Sequence, residues 1–495
     1  MKKMTALVLC ILMLGSILVG CTQVNREKDM AQVIIKVGDK TYTKQQIYDF
    51  TDQLLSGQGV DVFDDKMDSD LRAQVDTFVV DSVIPYLSML EVAGQIVDRD
   101  MPLTEEEIKA SNDEVDEYVE MIKVYYLENY DAENPDAYEG DIDADVDAVF
   151  LEYEGFTVAQ YRTERLRVKK ATKLEEYLAK DVVATEEEIQ KRYETDLASQ
   201  KASIINGEAQ YEEATADGSS QPGEYTLHKA LNYRLVKHVL LSFTAEEKAE
   251  ITEEQKKVTA VEEELETAKD AKTTAETAKT AAETAKQAAV EAKAAAEAEG
   301  NTEEATAQQA EIEKQEAEIT AQAATITEKE TQMAKLETQR RNAQTAFVAF
   351  KAKKAERLMN TAKDIVRRAK NGEDFQALVD EYGEDPGVKE GQSGYIYGYL
   401  INGNGTGYDA DFAEAALSLE KQGDVSDPVV SNFGVHIISL FYGPEEADLP
   451  LELVKSMVKE KADADAQSAA IEKGLDAYEE ELGTKTYPKK AKWEN

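Results

Sequence analysis

Leu235-Val236-Lys237-His238-Val239-Leu240-Leu241 and, about 200 positions later, Gly434-Val435-His436-Ile437-Ile438-Ser439-Leu440 decide how this chain is read. Each is an apolar, β-branched run of strand length bounded by polar or glycine-rich sequence. Each carries an imidazole near its centre, and the 495-residue chain has only three histidines. One histidine in an apolar strand is most simply a hydrogen-bonded core residue. Two of three so placed point to a shared site.

Between the two runs lies a long stretch of low complexity. Thr244 and Glu247 make a capping box, after which Ala268, Ala275, Ala282, Ala289 and Ala296 recur every seventh residue, with Ala271, Ala278, Ala285 and Ala292 in the companion column. Gly300-Asn301 breaks the pattern, and Ile312, Ile319, Ile326 and Met333 resume it. The expectation is an antiparallel coiled-coil hairpin over 246–350, its first arm roughly 80 Å long at 1.5 Å per residue. Such an excursion begins and ends at neighbouring points, so a host domain tolerates it.

Further outward, Asn371-Gly372 precedes a helix through Phe375 and Leu378, a Gly- and Tyr-rich stretch covers Gly383 to Tyr408, and Phe412 to Leu419 reads as another helix. From Leu451 a helical face shows Leu453, Val454, Met457 and Val458, and the charged residues 485–495 read as a loose tail. Toward the N-terminus, Val33 to Val37 is a strand, Gly38-Asp39 a turn, and Ile47, Phe50 and Leu54 open a mostly helical segment over 33–199 that contains the capping box Thr185 and Glu188. Residues 200–233, with Gly218-Ser219-Ser220-Gln221-Pro222-Gly223, read as a linker. The expected class is α+β.

Lys2 and Lys3 precede an apolar run from Thr5 to Gly20 that ends in Leu18-Val19-Gly20-Cys21, the pattern of an export signal too short to be a spanning helix, which needs about 20 apolar residues. Residues 22–32 then read as a tether. The only cysteines are Cys10, inside the signal, and Cys21, so no disulfide is expected. The net charge of −44 argues against nucleic acid as a partner. No further segment reads as long and apolar enough to cross a bilayer.

The chain resembles the parvulin-type peptidyl-prolyl isomerases, specifically the lipid-anchored PrsA-like foldases with a SurA-like chaperone segment. The resemblance rests on Lys237-His238-Val239-Leu240, Asn371-Gly372-Glu373-Asp374-Phe375, Glu384-Asp385-Pro386, Phe412-Ala413-Glu414-Ala415-Ala416, Gly423-Asp424-Val425-Ser426-Asp427-Pro428-Val429 and Phe433-Gly434-Val435-His436-Ile437-Ile438, in the family's order. It implies a small antiparallel sheet with helices around it, built from 234–245 and 351–443 and interrupted by the hairpin. It also implies a helical chaperone domain over 33–199, completed by 451–484, and a lipid on Cys21 that tethers the protein to the outer face of a membrane.

The resemblance makes His238, Asp385 and His436 the catalytic residues, with electrostatic and orienting roles. Phe412 would floor a proline slot, with Tyr408, Phe433 and Ser393 around it. No cofactor or metal is implied, and the partners would be newly exported polypeptides with X-Pro bonds. A protein partner for the hairpin and a homodimer are left open. Ser393, in Gly391-Gln392-Ser393-Gly394, replaces an apolar family residue, and the loop from Tyr395 to Tyr408 is long. The alternative function is therefore a non-catalytic chaperone or assembly lipoprotein. Asp141, Asp143, Asp145 and Glu152 have calcium-loop spacing, but Val146 stands where the turn needs glycine, and in so acidic a chain chance explains the match.

Overall fold

In the computed structural model, residues 25–55, 59–133, 142–219, 222–405 and 407–493 are described. The expected signal, Cys21 and Asp141 lie outside them. Among the described residues the strands are β1 (Val33–Val37), β2 (Lys40–Thr43), β3 (His228–Lys229), β4 (Arg234–Ser242), β5 (Tyr399–Ile401), β6 (Val429–Val430), β7 (Gly434–Tyr442), β8 (Ala447–Asp448) and β9 (Lys485–Thr486). They form three small antiparallel sheets, β2-β1-β9, β3-β8 and β5-β4-β7-β6, among many helices. The class is α+β. The chain divides into two units, 1–188 with 460–495, and 189–459.

In the first unit, β1 buries Ile34, Ile35 and Val37 against helix Ile84–Asp100 and helix Lys44–Leu55. The helical run Ser69–Asp100 is continuous through a π turn at Val79–Val83, and by length and composition it could cross a membrane, contrary to the expectation that no further segment could. Its apolar residues Val75, Val79, Val83, Leu87, Leu90 and Ile96 are instead buried in this unit's core. Polar residues spaced along the run hide it from a search for uninterrupted apolar stretches. The helix from Leu451 to Glu481 brings Leu475 and Tyr478 to the same core, and Asp463 accepts the Ala184 N–H at 2.8 Å.

The residues read as a loose tail, 485–495, are folded through Trp493, the last one described. β9 pairs with β1, Ala491 is fully buried, and the guanidinium groups of Arg26 and Arg72 lie over the Trp493 ring, 4.0 and 4.3 Å from its centre. The buried ammonium of Lys44 donates to Asp29 and to the carbonyl of Lys492. The charge of the tail conceals this docking, because its anchors are one indole and a backbone carbonyl. Trp493→Ala is expected to destabilise this unit by about 3–5 kcal/mol, the usual cost of emptying an indole site. An unchanged urea midpoint followed by circular dichroism would show the tail to be dispensable.

In the second unit, β4 and β7 are the central strands, and the two faces of their sheet differ. One face, with Val239, Leu241, Val435 and Ile437, packs on helices Met359–Lys370 and Phe375–Tyr382. The other, with Val236, Ile438 and Leu440, packs on helix Ala410–Leu417. Between β4 and helix Met359–Lys370 runs the helical hairpin, Ala245–Ala298 and Thr302–Ala355. Ala268, Ala275, Ala282, Ala289 and Ala296 are buried along its seam, and Lys272 with Glu330 and Lys286 with Glu316 bridge its arms at 3.2 and 2.9 Å. Its base is not a bare excursion: Ile251 and Ala355 belong to the domain core, and Arg357 pairs with Glu247 at 2.6 Å.

The linker expectation for 200–233 is also corrected. Helix Glu186–Ile205 extends into it, helix Glu208–Ala216 and β3 follow, and Gln200, Tyr211, Thr226, Leu227 and Lys229 are buried. The Gly-Ser-Pro composition is confined to the short stretch 218–223, whereas the apolar and aromatic residues on either side of it pack.

Candidate active site

Strand pairing alone brings the two histidines together. In the β4–β7 ladder His238 lies opposite Ile438 and Leu240 opposite His436. Residues two apart on a strand share a face, so His238 and His436 are diagonal neighbours on the face covered by helix Ala410–Leu417. Their rings are stacked, with centroids 5.1 Å apart and planes 16° from parallel, and their Nδ1 atoms are 2.9 Å apart. Two N–H groups at that distance would collide and two lone pairs would repel, so one proton lies between them.

The contact extends in both directions. His238 Nε2 is 2.7 Å from Asp385 Oδ2, and the carboxylate accepts the Nε2–H. His436 Nε2 is 2.7 Å from Ser431 Oγ, which accepts the Phe433 backbone N–H at 2.9 Å. Asp385 arrives on the loop after helix Phe375–Tyr382, where its Oδ1 caps the turn Pro386–Val388 by accepting the Gly387 N–H at 2.8 Å. That loop is docked to the sheet through Glu384, whose N–H donates to the Leu240 carbonyl and whose carboxylate accepts the Ser242 N–H. Tyr399 donates its hydroxyl to Asp385 Oδ2 at 3.1 Å, and a Cβ on Gly387 would stand 2.2 Å from that hydroxyl, so only glycine leaves room for the contact.

Aromatic rings surround the pair. Phe412 is edge-on to both imidazoles, at 5.2 and 5.0 Å, Tyr399 is edge-on to His238 at 5.2 Å, and Tyr408 lies 6.0 Å from Phe412. This environment sets the charges. Burial pushes His436 well below its usual value of 6.5, and the neighbouring His238 adds to that. Burial by itself would raise Asp385, but the bonds from His238, Gly387 and Tyr399 outweigh it and bring its carboxyl down to about 2. The site therefore joins a fixed anion to a buried neutral imidazole across a second imidazole.

Of the residues singled out from the sequence, His238, His436, Asp385, Phe412 and Tyr408 meet here. Phe433 does not: its backbone is held by Ser431 and Phe243 in the turn before β7, and its ring is 53% exposed. Ser393 is buried next to the group and donates to Glu224 Oε2 at 2.9 Å. No sequence signal singles out Tyr399, Ser431 or Glu224. They occupy loops or a short edge strand with no periodic pattern, and only their positions in space mark them.

Residues 341–441 match the family described as "Rotamase: PPIC-type PPIASE domain". The second unit contains a parvulin domain of the PPIC type. The matched segment of the parvulin domain excludes β4 and hence His238, which the fold supplies from the far side of the hairpin. The chain is 36% identical to "Foldase protein PrsA" of Clostridium kluyveri over 110 residues, 22% of this chain and 31% of that protein. It is 45% identical to "Foldase protein PrsA 3" of Bacillus cereus over 80 residues, 16% and 26% of the two. The matches thus span less than a third of these relatives. Crystal structures of PrsA peptidylprolyl isomerases from Bacillus cereus and Bacillus anthracis align over 92% and 81% of this chain, and 91% and 99% of theirs, at 15% and 14% identity. Their TM-scores against this chain are 0.17 and 0.18.

The depressed His436 gives the parvulin domain an acid liability. A folded-state value below the unfolded one means that the unfolded chain takes up a proton the folded chain refuses, so this contribution is intact above about 6.5 and is lost as pH falls below it. Urea unfolding at pH 7.5 and 5.5 is expected to show a loss for the parent chain that His436→Gln reduces by about 1 kcal/mol. Equal losses in both would show that the ring is not held neutral by the fold.

Proposed function

We propose that this chain is an extracytoplasmic peptidyl-prolyl cis-trans isomerase and chaperone, held at a membrane by lipid on Cys21 and acting on newly exported polypeptides with X-Pro bonds. The observation that carries the catalytic part is the line Asp385, His238, His436 beneath the ring of Phe412. The name shared by the curated relatives, foldase, agrees with it.

The reaction makes modest demands. An X-Pro bond prefers trans by only about 0.5–1 kcal/mol, yet rotation must break amide resonance across a barrier of about 18–20 kcal/mol. No bond to the substrate need form. The prolyl ring would enter the slot between Phe412, Tyr408 and Tyr399, where dry aromatic walls favour the less polar twisted amide over the planar one. As resonance is lost, electron density returns to the prolyl nitrogen and the carbonyl changes polarity. The imidazole pair can meet that change with the fixed dipoles of its hydrogen-bonded line, Asp385 anchoring His238 and Ser431 holding His436. Dipoles fixed before reaction act where charge changes and need no reorganisation.

In a proline-limited refolding assay the full chain is expected to accelerate the slow phase. Asp385→Ala, His238→Ala and Phe412→Ala should each lower kcat/KM by about tenfold or more. No acceleration by the parent chain would end the isomerase reading, and equal client protection with equal rates in all four would favour a purely binding role. For the anchor, Cys21→Ser is expected to abolish incorporation of labelled lipid in a bacterial host and to move the protein from the membrane fraction; unchanged labelling would remove Cys21 from the proposal.

A further inference from the structure

The stretch expected to be a linker ends against the mouth of the site. Tyr397, fully buried, donates its hydroxyl to the Gly223 carbonyl at 2.7 Å and accepts the Thr226 N–H at 2.8 Å. Gly223 has φ +95°, and a Cβ there would lie 2.5 Å from the Cβ of Leu400 in β5, so the backbone passes the sheet edge at a distance that glycine alone permits. The N–H groups of Gly223 and Tyr225 both donate to the carbonyl of Thr215, tying the stretch to helix Glu208–Ala216. These contacts fix the residue between them, Glu224. It is exposed, and one of its oxygens accepts the hydroxyl of buried Ser393 at 2.9 Å.

We propose that Glu224 determines specificity at the isomerase site by selecting clients that carry a lysine or arginine within one or two residues of the isomerised proline. This rests on the isomerase reading and extends it to a substrate class. Other carboxylates around the slot are engaged: Asp385 by His238, Gly387 and Tyr399, Glu212 by Tyr233 and Asn402 at 3.1 and 2.9 Å, Asp409 by the N–H groups of Asp411, Phe412 and Asn432, and Asp411 by Lys351. The slot itself is lined by uncharged rings. Tyr408 and, more weakly, Tyr399 feel the Glu224 charge: burial raises both hydroxyls first, Glu224 comes next at Tyr408, and at Tyr399 Asp385 comes next with Glu224 a smaller addition. A chain laid across the slot therefore passes an anion at its wall, and an ammonium or guanidinium on a long flexible stem is the group suited to reach it. Ser393, which departs from the family pattern, has a role here as the buried hydroxyl that orients Glu224.

The test uses the full chain and short X-Pro peptides with lysine, alanine or glutamate placed in turn at each of two positions on either side of the proline. At one position or more, lysine is expected to exceed glutamate by about three- to tenfold in kcat/KM, as befits an exposed ion pair, and the ratio should shrink in 1 M salt. Glu224→Gln keeps the acceptor for Ser393 and removes the charge, so it should bring the ratio close to one; Glu224→Lys should invert it. The chain's net charge of −44 is barely altered by the Gln variant, so loss of the preference identifies the local carboxylate. A ratio retained in Glu224→Gln, or no preference at any position in the parent, overturns the proposal. Peptide affinities measured by titration separate it from the isomerase reading: a lysine preference in affinity that Glu224→Gln abolishes, without acceleration of any peptide, would overturn isomerisation and uphold Glu224.

Discussion

The second unit is organised around a distance of 2.9 Å between two ring nitrogens on neighbouring strands. That contact needs one shared proton, and the burial of both rings, 3% and 4% exposed, makes an added charge costly. Each outer nitrogen must then find a partner, because an unsatisfied polar atom in a low-dielectric interior is expensive. Asp385 and Ser431 are those partners, and each is held in turn by backbone N–H groups. The loop carrying Asp385, the turn carrying Ser431 and the helix carrying Phe412 are thus all constrained by the same pair of imidazoles.

The hairpin illustrates how such a core accepts a large insertion. Its arms leave β4 and return to helix Met359–Lys370 at neighbouring points of the core, so the path from β4 to that helix is closed as a turn would close it. What binds the hairpin to the domain is its base, where Ile251 and Ala355 join the core and Lys351 reaches Asp411 at 2.6 Å. Beyond the base, small alanines let the two backbones approach, while the exposed ion pairs across the arms contribute about 0–1 kcal/mol each. Pairing along the arms therefore rests on continuity of the seam more than on any one contact.

Patterns with a period are legible in the residues themselves. The two apolar strands, the capped helices, the alanine heptads and the family motifs around Asp385, Phe412 and His436 all read directly, because local spacing dictates them. Composition misleads at the expected linker and the expected loose tail, since it describes their surface residues while the anchors are sparse: Tyr211, Leu227 and Lys229 in one, Ala491 and Trp493 in the other. The helical run Ser69–Asp100 escapes notice for a different reason, since polar residues such as Asp76, Asp81, Ser88 and Glu91 interrupt its apolar ones along the chain.

From its residues alone, the chain determined which side chains were available to a site and on which elements they would ride, because hydrophobic period and capping act over a few residues. The tertiary structure decided which of them meet. It joined His238 to His436 across the hairpin, brought in Tyr399, Ser431 and Glu224 from aperiodic segments, and left Phe433 outside, because strand register and close backbone approach depend on contacts between residues far apart in the chain.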